Sequence, residues 1–247
     1  MRDFSGRVAV VTGAATGIGE ATVRVLAEEG VAGLVLADIE LDKAQALAEE
    51  LGKRSEVRCL ARKVDVSSAS EVASLFDDVL QVYDRIDVLV NSAGIARSSP
   101  LTEISLEIWE KTLAVNLTGT FLCCQKAFAQ MVKQRYGKIV NIASMAARVG
   151  GVSAGADYVA SKGGVIALTK SLAKQGAPYS VLANTIAPGY VMTPLFKAVG
   201  GYNAADVPLK RFAEPREIAT VIAFLASDES SYITGSTIDI NGGLYLA

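Results

Sequence analysis

Hydrophobic residues fall along this chain in short unbroken runs, each followed by a longer stretch whose apolar positions recur every three or four residues. Arg7–Thr12, Gly33–Asp38, Val57–Val66, Ile86–Ala93, Lys138–Ala143, Val181–Ala187 and Ser236–Ile240 read as strands. Gly17–Glu29, Leu41–Leu51, Glu71–Tyr83, Leu106–Gln134, Asp157–Lys174 and Pro215–Ala226 carry the helical period. Several strands, such as G-L-V-L-A-D, are apolar along nearly their whole length, as happens when helices cover both faces of a parallel sheet. The alternation predicts an α/β fold with a doubly wound parallel sheet. No repeat or linker divides residues 1–247, so a single domain is expected. The longest segment without a period, Gly189–Arg211, contains Gly200-Gly201 and reads as a mobile loop.

Composition narrows the chemistry. A formal net charge of -2 gives no electrostatic case for nucleic acid or an anionic membrane. No apolar run approaches a membrane span, and the strand pattern begins too early for a signal peptide. Three cysteines form no disulfide framework, so a reducing, cytoplasmic setting is expected. The sequence holds no histidine, which argues against zinc and metal-assisted chemistry; no metal is expected. A proton-moving enzyme of this composition must use another side chain.

T-G-A-A-T-G-I-G (Thr12–Gly19) lies between the first strand and first helix. Gly13, Gly17 and Gly19 permit a tight turn, close backbone approach to a pyrophosphate and close helix packing. Thr16, Gly17, Ile18 and Gly19 open the helix, whose free N–H groups suit phosphate. A glycine triplet alone is weak; its place between strand and helix strengthens it. Asp38 ends the second strand, about 20 residues beyond the loop, where its carboxylate can accept from ribose hydroxyls and repel a 2′-phosphate. The alternative for Asp38 is a solvated strand end. With no basic residue at Ala14, Ala15 or Ile39, NAD is favoured over NADP. Asp65-Val66 and the Asn91-Ser-Ala93-Gly94 turn end the third and fourth strands, where they can meet adenosine or serve only as turn formers.

Y-V-A-S-K places Tyr158 and Lys162 one helical turn apart. An ammonium favours the phenolate. Bringing a phenol from about 10 to about 7 needs roughly 4 kcal/mol, about what one charge at about 4 Å supplies at an effective dielectric of about 20. A tyrosine can thus replace histidine as a proton donor and acceptor.

Taken together, T-G-A-A-T-G-I-G, N-S-A-G, Asn116 in the long helix, Ser144 after the fifth strand, Y-V-A-S-K and Pro188-Gly189 resemble the short-chain dehydrogenase/reductase family over essentially the whole chain. The resemblance implies a Rossmann-type fold, a nicotinamide cofactor and a catalytic set of Asn116, Ser144, Tyr158 and Lys162. By it, Tyr158 is the general acid and base, and Ser144 hydrogen-bonds the substrate oxygen. Lys162 lowers the tyrosine pKa and holds the nicotinamide ribose, while Asn116 keeps a water in line. Pro188, Gly189, Val191 and Thr193 then border the nicotinamide, with a substrate lid at about 190–211.

R-F-A-E-P-R-E-I and the C-terminal N-G-G look like bacterial 3-oxoacyl-[acyl-carrier-protein] reductases, with Arg135 and Lys174 at or near their carrier-docking places. Asp38, Ala15 and the Ser144-to-Tyr158 interval depart from that group. The expectation is an NAD-dependent oxidoreductase of a small-molecule secondary alcohol or ketone. The alternatives are the acyl-carrier reductase and a catalytically idle NAD-binding protein. Family members are usually homotetramers.

Overall fold

The computed structural model describes residues 2–151 and 153–246. The strands are β1 (Val8–Thr12), β2 (Gly33–Asp38), β3 (Arg58–Lys63), β4 (Val88–Asn91), β5 (Gly137–Ile142), β6 (Val181–Pro188) and β7 (Thr237–Ile240). They form one parallel sheet in the order β3-β2-β1-β4-β5-β6-β7. The chain runs outward from β1 to β3, returns to place β4 beside β1, then runs outward the other way. Such a reversal leaves a crevice at the carboxyl ends of the strands.

The helices that cover the sheet are α1 (Gly17–Glu28), α2 (Leu41–Arg54), α3 (Ala69–Tyr83), α4 (Leu106–Leu113), α5 (Gly119–Gln134), α6 (Ala146–Val149), α7 (Ala156–Gly176), α8 (Pro194–Val199) and α9 (Pro215–Ala226). One core joins α1, α2 and α9 to the sheet through Val23, Leu26, Leu47, Ile218 and Ile222. A second joins α3, α5 and α7 through Leu75, Phe76, Cys123, Met131 and Leu172. With both faces covered, β1, β2, β4 and β5 are buried end to end, which is why their sequences do not alternate. Among the described residues no helix is long and apolar enough to cross a membrane.

Three of the differences from the sequence reading bear on the site. β3 is shorter than Val57–Val66 because it is an edge strand, paired only to β2, and β2 ends at Asp38 opposite Lys63. The helix over Leu106–Gln134 is interrupted by a π turn at Ala114–Thr118 with Asn116 at its centre. Such insertions cluster at functional sites. The irregular Gly189–Arg211 segment contains α8, where the Thr193 hydroxyl caps the Phe196 N–H and Pro194 opens the helix.

Candidate active site

A cavity of about 390 Å³ runs along the carboxyl edge of the sheet, lined in turn by residues that follow β1, β2, β3, β4, β5 and β6. At its base is the glycine loop. Gly13 has φ +63°, and a Cβ there would lie 2.7 Å from the Ala93 amide nitrogen; one on Gly19 would lie 1.9 Å from the Gly13 carbonyl oxygen. Gly13 is therefore needed for the turn and Gly19 for the packing of α1 against it. Thr12 ties the two neighbouring loops, its hydroxyl accepting from the Ser92 and Ala93 N–H groups at 3.2 and 3.3 Å. Sequence reasoning passed over Thr12 because a threonine at a strand end carries no local signal of that reach.

Thr16 precedes α1 in extended conformation, and its side chain makes no capping bond among the described residues. The N–H groups of the first turn of α1 therefore face the cavity wall formed by Thr16, Gly17 and Ile18 without a side-chain acceptor. Uncapped donors, glycines too close-packed to take a side chain and a helix N-terminus fit a pyrophosphate.

Asp38 is not a solvated strand end. It is only 9% exposed, and its Oδ2 accepts from the Ala15 N–H and its Oδ1 from the Glu40 N–H, both at 2.9 Å. The carboxylate thus holds the glycine loop while lining the cavity. Ala15 is buried in the core and Ile39 is 59% exposed. Lys43 is paired to Glu40 at 2.8 Å on the helix face. Asp65 and Val66 line the cavity. The Ser67 hydroxyl and N–H bind the Asp65 carboxylate and hold its pKa below the usual range.

Asn91 is a correction. Its amide points into the sheet, donating to Asn141 Oδ1 at 2.8 Å and to Cys124 Sγ at 3.2 Å. It is 4% exposed and does not line the cavity; only Ser92, Ala93 and Gly94 of that turn do. Asn141 passes the contact on to Thr169 of α7 at 2.9 Å, so this buried chain pins α5 and α7 to the sheet. Side-chain direction along β4 decided the point, and turn chemistry does not encode it.

Ser144, Tyr158 and Lys162 meet on the cavity wall. Ser144 leaves β5 and accepts from the Ala146 N–H at 3.1 Å. Lys162 donates to the Ile142 carbonyl at 2.8 Å, with its Nζ 5.8 Å from the centre of the Tyr158 ring. Asn116 stands behind them, fully buried. Its Oδ1 accepts from the Ile95 N–H, and its Nδ2 donates to the Ile95 carbonyl and the Ser161 hydroxyl at 2.9 and 3.1 Å. Both amide hydrogens are thereby committed to a clamp between the Gly94–Ile95 turn and α7. Gly94 fits against this group: a Cβ there would lie 3.3 Å from Asn116 Oδ1 and 3.5 Å from Lys162 Nζ.

Burial acts on both members of the Tyr158–Lys162 pair. Burial pushes the Tyr158 phenol up, with the Ser144 hydroxyl opposing it. Burial pushes Lys162 down to about 8. Burial thus opposes the charged form of each group, while the nearby ammonium favours the phenolate. Folded Lys162 binds fewer protons than unfolded Lys162 between pH 8 and its ordinary 10.5, so stability rises with pH across that window. The shift corresponds to about 3 kcal/mol. Relative to Lys162→Met, the wild type is expected to gain about that much between pH 8 and 10.5 in denaturant titrations, with a constant difference below pH 7. A pH-independent difference would show that burial does not depress this lysine.

Of the remaining predicted residues, Pro188, Gly189, Val191 and Thr193 line the cavity. Val191 bridges to Ala213, and the Met192 N–H donates to the Ala213 carbonyl at 2.9 Å, anchoring the segment that leads to α8. Arg135 lies elsewhere. It ends α5 at the amino edge of the sheet, its guanidinium donating to the Pro178 carbonyl at 3.0 Å and lying 5.8 Å from the centre of the Tyr179 ring.

Comparison with known proteins gives the class. Residues 13–245 match the family model described as enoyl-(acyl carrier protein) reductase. The chain is 39% identical over 246 residues to the 3-oxoacyl-[acyl-carrier-protein] reductase of Aquifex aeolicus, covering 98% of each. It is 40% identical over 242 residues to that of Staphylococcus aureus, covering 96% of this chain and 98% of the relative. A short-chain type dehydrogenase/reductase from Mycobacterium marinum superposes with a TM-score of 0.94 at 33% identity, over 99% of this chain and 98% of that one. Levodione reductase superposes at 0.88 and 32% identity, over 97% and 98%. The chain belongs to the short-chain dehydrogenase/reductase family of oxidoreductases and has its Rossmann-type fold.

Proposed function

We propose that the protein transfers a hydride between NAD(H) and the carbon of a secondary alcohol or ketone. The observation that carries this is one continuous cavity with Ser144, Tyr158 and Lys162 on its wall at one end and the glycine loop and Asp38 at the other. When bound, the nicotinamide supplies the hydride and, oxidised, a positive charge.

In the direction of reduction, Tyr158 gives its phenolic proton to the carbonyl oxygen as the carbon accepts the hydride. Ser144 donates a hydrogen bond to the same oxygen and steadies the charge that develops there. Lys162 keeps two hydrogens beyond the one given to Ile142, enough for a ribose hydroxyl. Asp38 accepts from the adenosine ribose. Asn116 fixes the Gly94–Ile95 turn against α7, so it acts as a positioning residue. The segment 190–211, with positive φ at Gly200 and Gly201, serves as the lid of a single catalytic unit. Assembly as a cytoplasmic homotetramer remains part of the proposal.

The test is reduction of a ketone panel followed by NADH absorbance, with NADPH in parallel. Turnover with NADH supports the reading; binding of NADH with no turnover of any carbonyl compound favours an idle dinucleotide-binding protein. A second reading, the 3-oxoacyl-[acyl-carrier-protein] reductase, is favoured by the names of the curated relatives. Against it, Arg135 lies at the sheet edge opposite this chain's own cavity. Reduction of 3-oxoacyl thioesters on carrier protein in preference to free ketones would establish it.

A further inference from the structure

Beyond Ser144 and Tyr158 the cavity changes character. Its wall there is built from Met145, Val149, Tyr190, Leu195, Phe196, Val199 and Tyr202, apolar except for the two tyrosine hydroxyls. Three of the lid's aromatic rings are locked together. Phe196 and Tyr202 stack with centroids 4.7 Å apart and planes 14° apart, and Tyr190 lies 4.4 Å from Tyr202. Phe212 packs edge-on against Phe196 with centroids 5.0 Å apart. The tilted and stacked contacts make this a preformed aromatic wall, near-parallel at Phe196 and Tyr202, rather than a set of independent side chains.

Charge is confined to the other parts of the cavity. Two cationic side chains line it among the described residues. Lys162 belongs to the catalytic group, and Lys111 acts on Asp65 near the end of β3. No arginine or lysine among the described residues lines the lid end. A substrate carboxylate placed there would leave water without a partner, which is strongly unfavourable. An open chain must also freeze its rotors to lie against this wall, whereas a ring has already lost that freedom.

Resting on the reading of the site as a ketone reductase, we infer that the substrate is an uncharged ring ketone, or the matching cyclic or aryl-substituted secondary alcohol, and that the face of Tyr202 selects it. The ring of the substrate lies against the Tyr202–Phe196 stack while its carbonyl meets Ser144 and Tyr158. The face is the selecting feature: Tyr202 has its hydroxyl toward Ser153, and a Cβ on neighbouring Gly201 would lie 3.3 Å from that serine's Oγ.

The test compares cyclohexanone and acetophenone with an open-chain hexanone, acetoacetate and an acetoacetyl thioester, all with NADH. The ring ketones are expected to exceed the open-chain hexanone by at least about tenfold in kcat/KM, and acetoacetate by about a hundredfold or more, one factor of ten for each 1.4 kcal/mol. Tyr202→Ala should collapse the ring-to-chain ratio about tenfold, mainly through KM for the ring ketones, and Tyr202→Phe should retain the ratio. A loss of overall activity with an unchanged ratio would show Tyr202 to be merely structural and overturn its role. Acetoacetate or the thioester reduced faster than the ring ketones would overturn the substrate class and leave the reductase reading standing. If no compound is reduced by protein that still binds NADH, as read by its fluorescence, both fall together.

Discussion

Tyr158→Phe is expected to lower kcat by at least about a hundredfold, the usual share of general acid–base catalysis, while leaving NADH binding within a few-fold. The substitution keeps the ring that α7 presents to the cavity and removes only the hydroxyl. The fold should survive it, because the phenol stands beside Ser144 on the cavity wall rather than tied into the sheet. Single-turnover kinetics with a reducible ketone, together with NADH fluorescence titration, measure the two effects separately. Substantial turnover by the variant would remove Tyr158 from the chemistry.

The same proton fixes the sign of the pH dependence. Alcohol oxidation needs the phenolate, so its rate rises with pH through the phenol's effective pKa and then levels; ketone reduction needs the phenol and runs the other way. Burial pushes that pKa up in the protein alone. An oxidised nicotinamide would add a positive charge that favours the phenolate, so the inflection for oxidation should lie lower with cofactor bound than the phenol titrates in the free protein.

Cofactor choice is the second large effect. NAD is expected to be preferred over NADP by about a hundredfold or more in kcat/KM, since like charges brought together cost several kcal/mol and about 1.4 kcal/mol is a factor of ten. Asp38→Ala should narrow the preference from both sides by removing the ribose bonds and the repulsion. It should also weaken both cofactors and lower stability by about 1–3 kcal/mol, because the Ala15 N–H loses its buried acceptor. The place to add a cation for NADP is Ile39, which is exposed and lines the cavity. Ala15, packed in the core, is not such a place, although the sequence alone offers both. An unmodified protein that uses NADP as readily as NAD would show that the carboxylate serves the loop alone.

That contrast between Ile39 and Ala15 shows where sequence reading stops. Short-range periodicity carries the strands and helices, because burial on both faces of the sheet forces unbroken apolar runs and helices need a stripe every three or four residues. The glycine loop was legible too: Gly13 and Gly19 are demanded by contacts within one strand–turn–helix unit. So was the pairing of Tyr158 with Lys162, fixed by one turn of α7.

Other features belong to the tertiary structure. Asn91 turns inward to Asn141 and Cys124, and Asn116 becomes a clamp inside a π turn. Asp38 holds a loop 23 residues away. The aromatic stack over the substrate end gathers residues from both sides of α8 and Gly200-Gly201. Burial of Tyr158 and Lys162, which acts on both pKa values, is likewise invisible to adjacency alone. The sequence by itself determined the sheet, the glycine loop and the adjacency of Tyr158 and Lys162, since each is set by residues within a few positions of one another. Only the folded chain decided side-chain direction, burial and the shape of the substrate end, because desolvation and packing depend on neighbours brought in from distant elements.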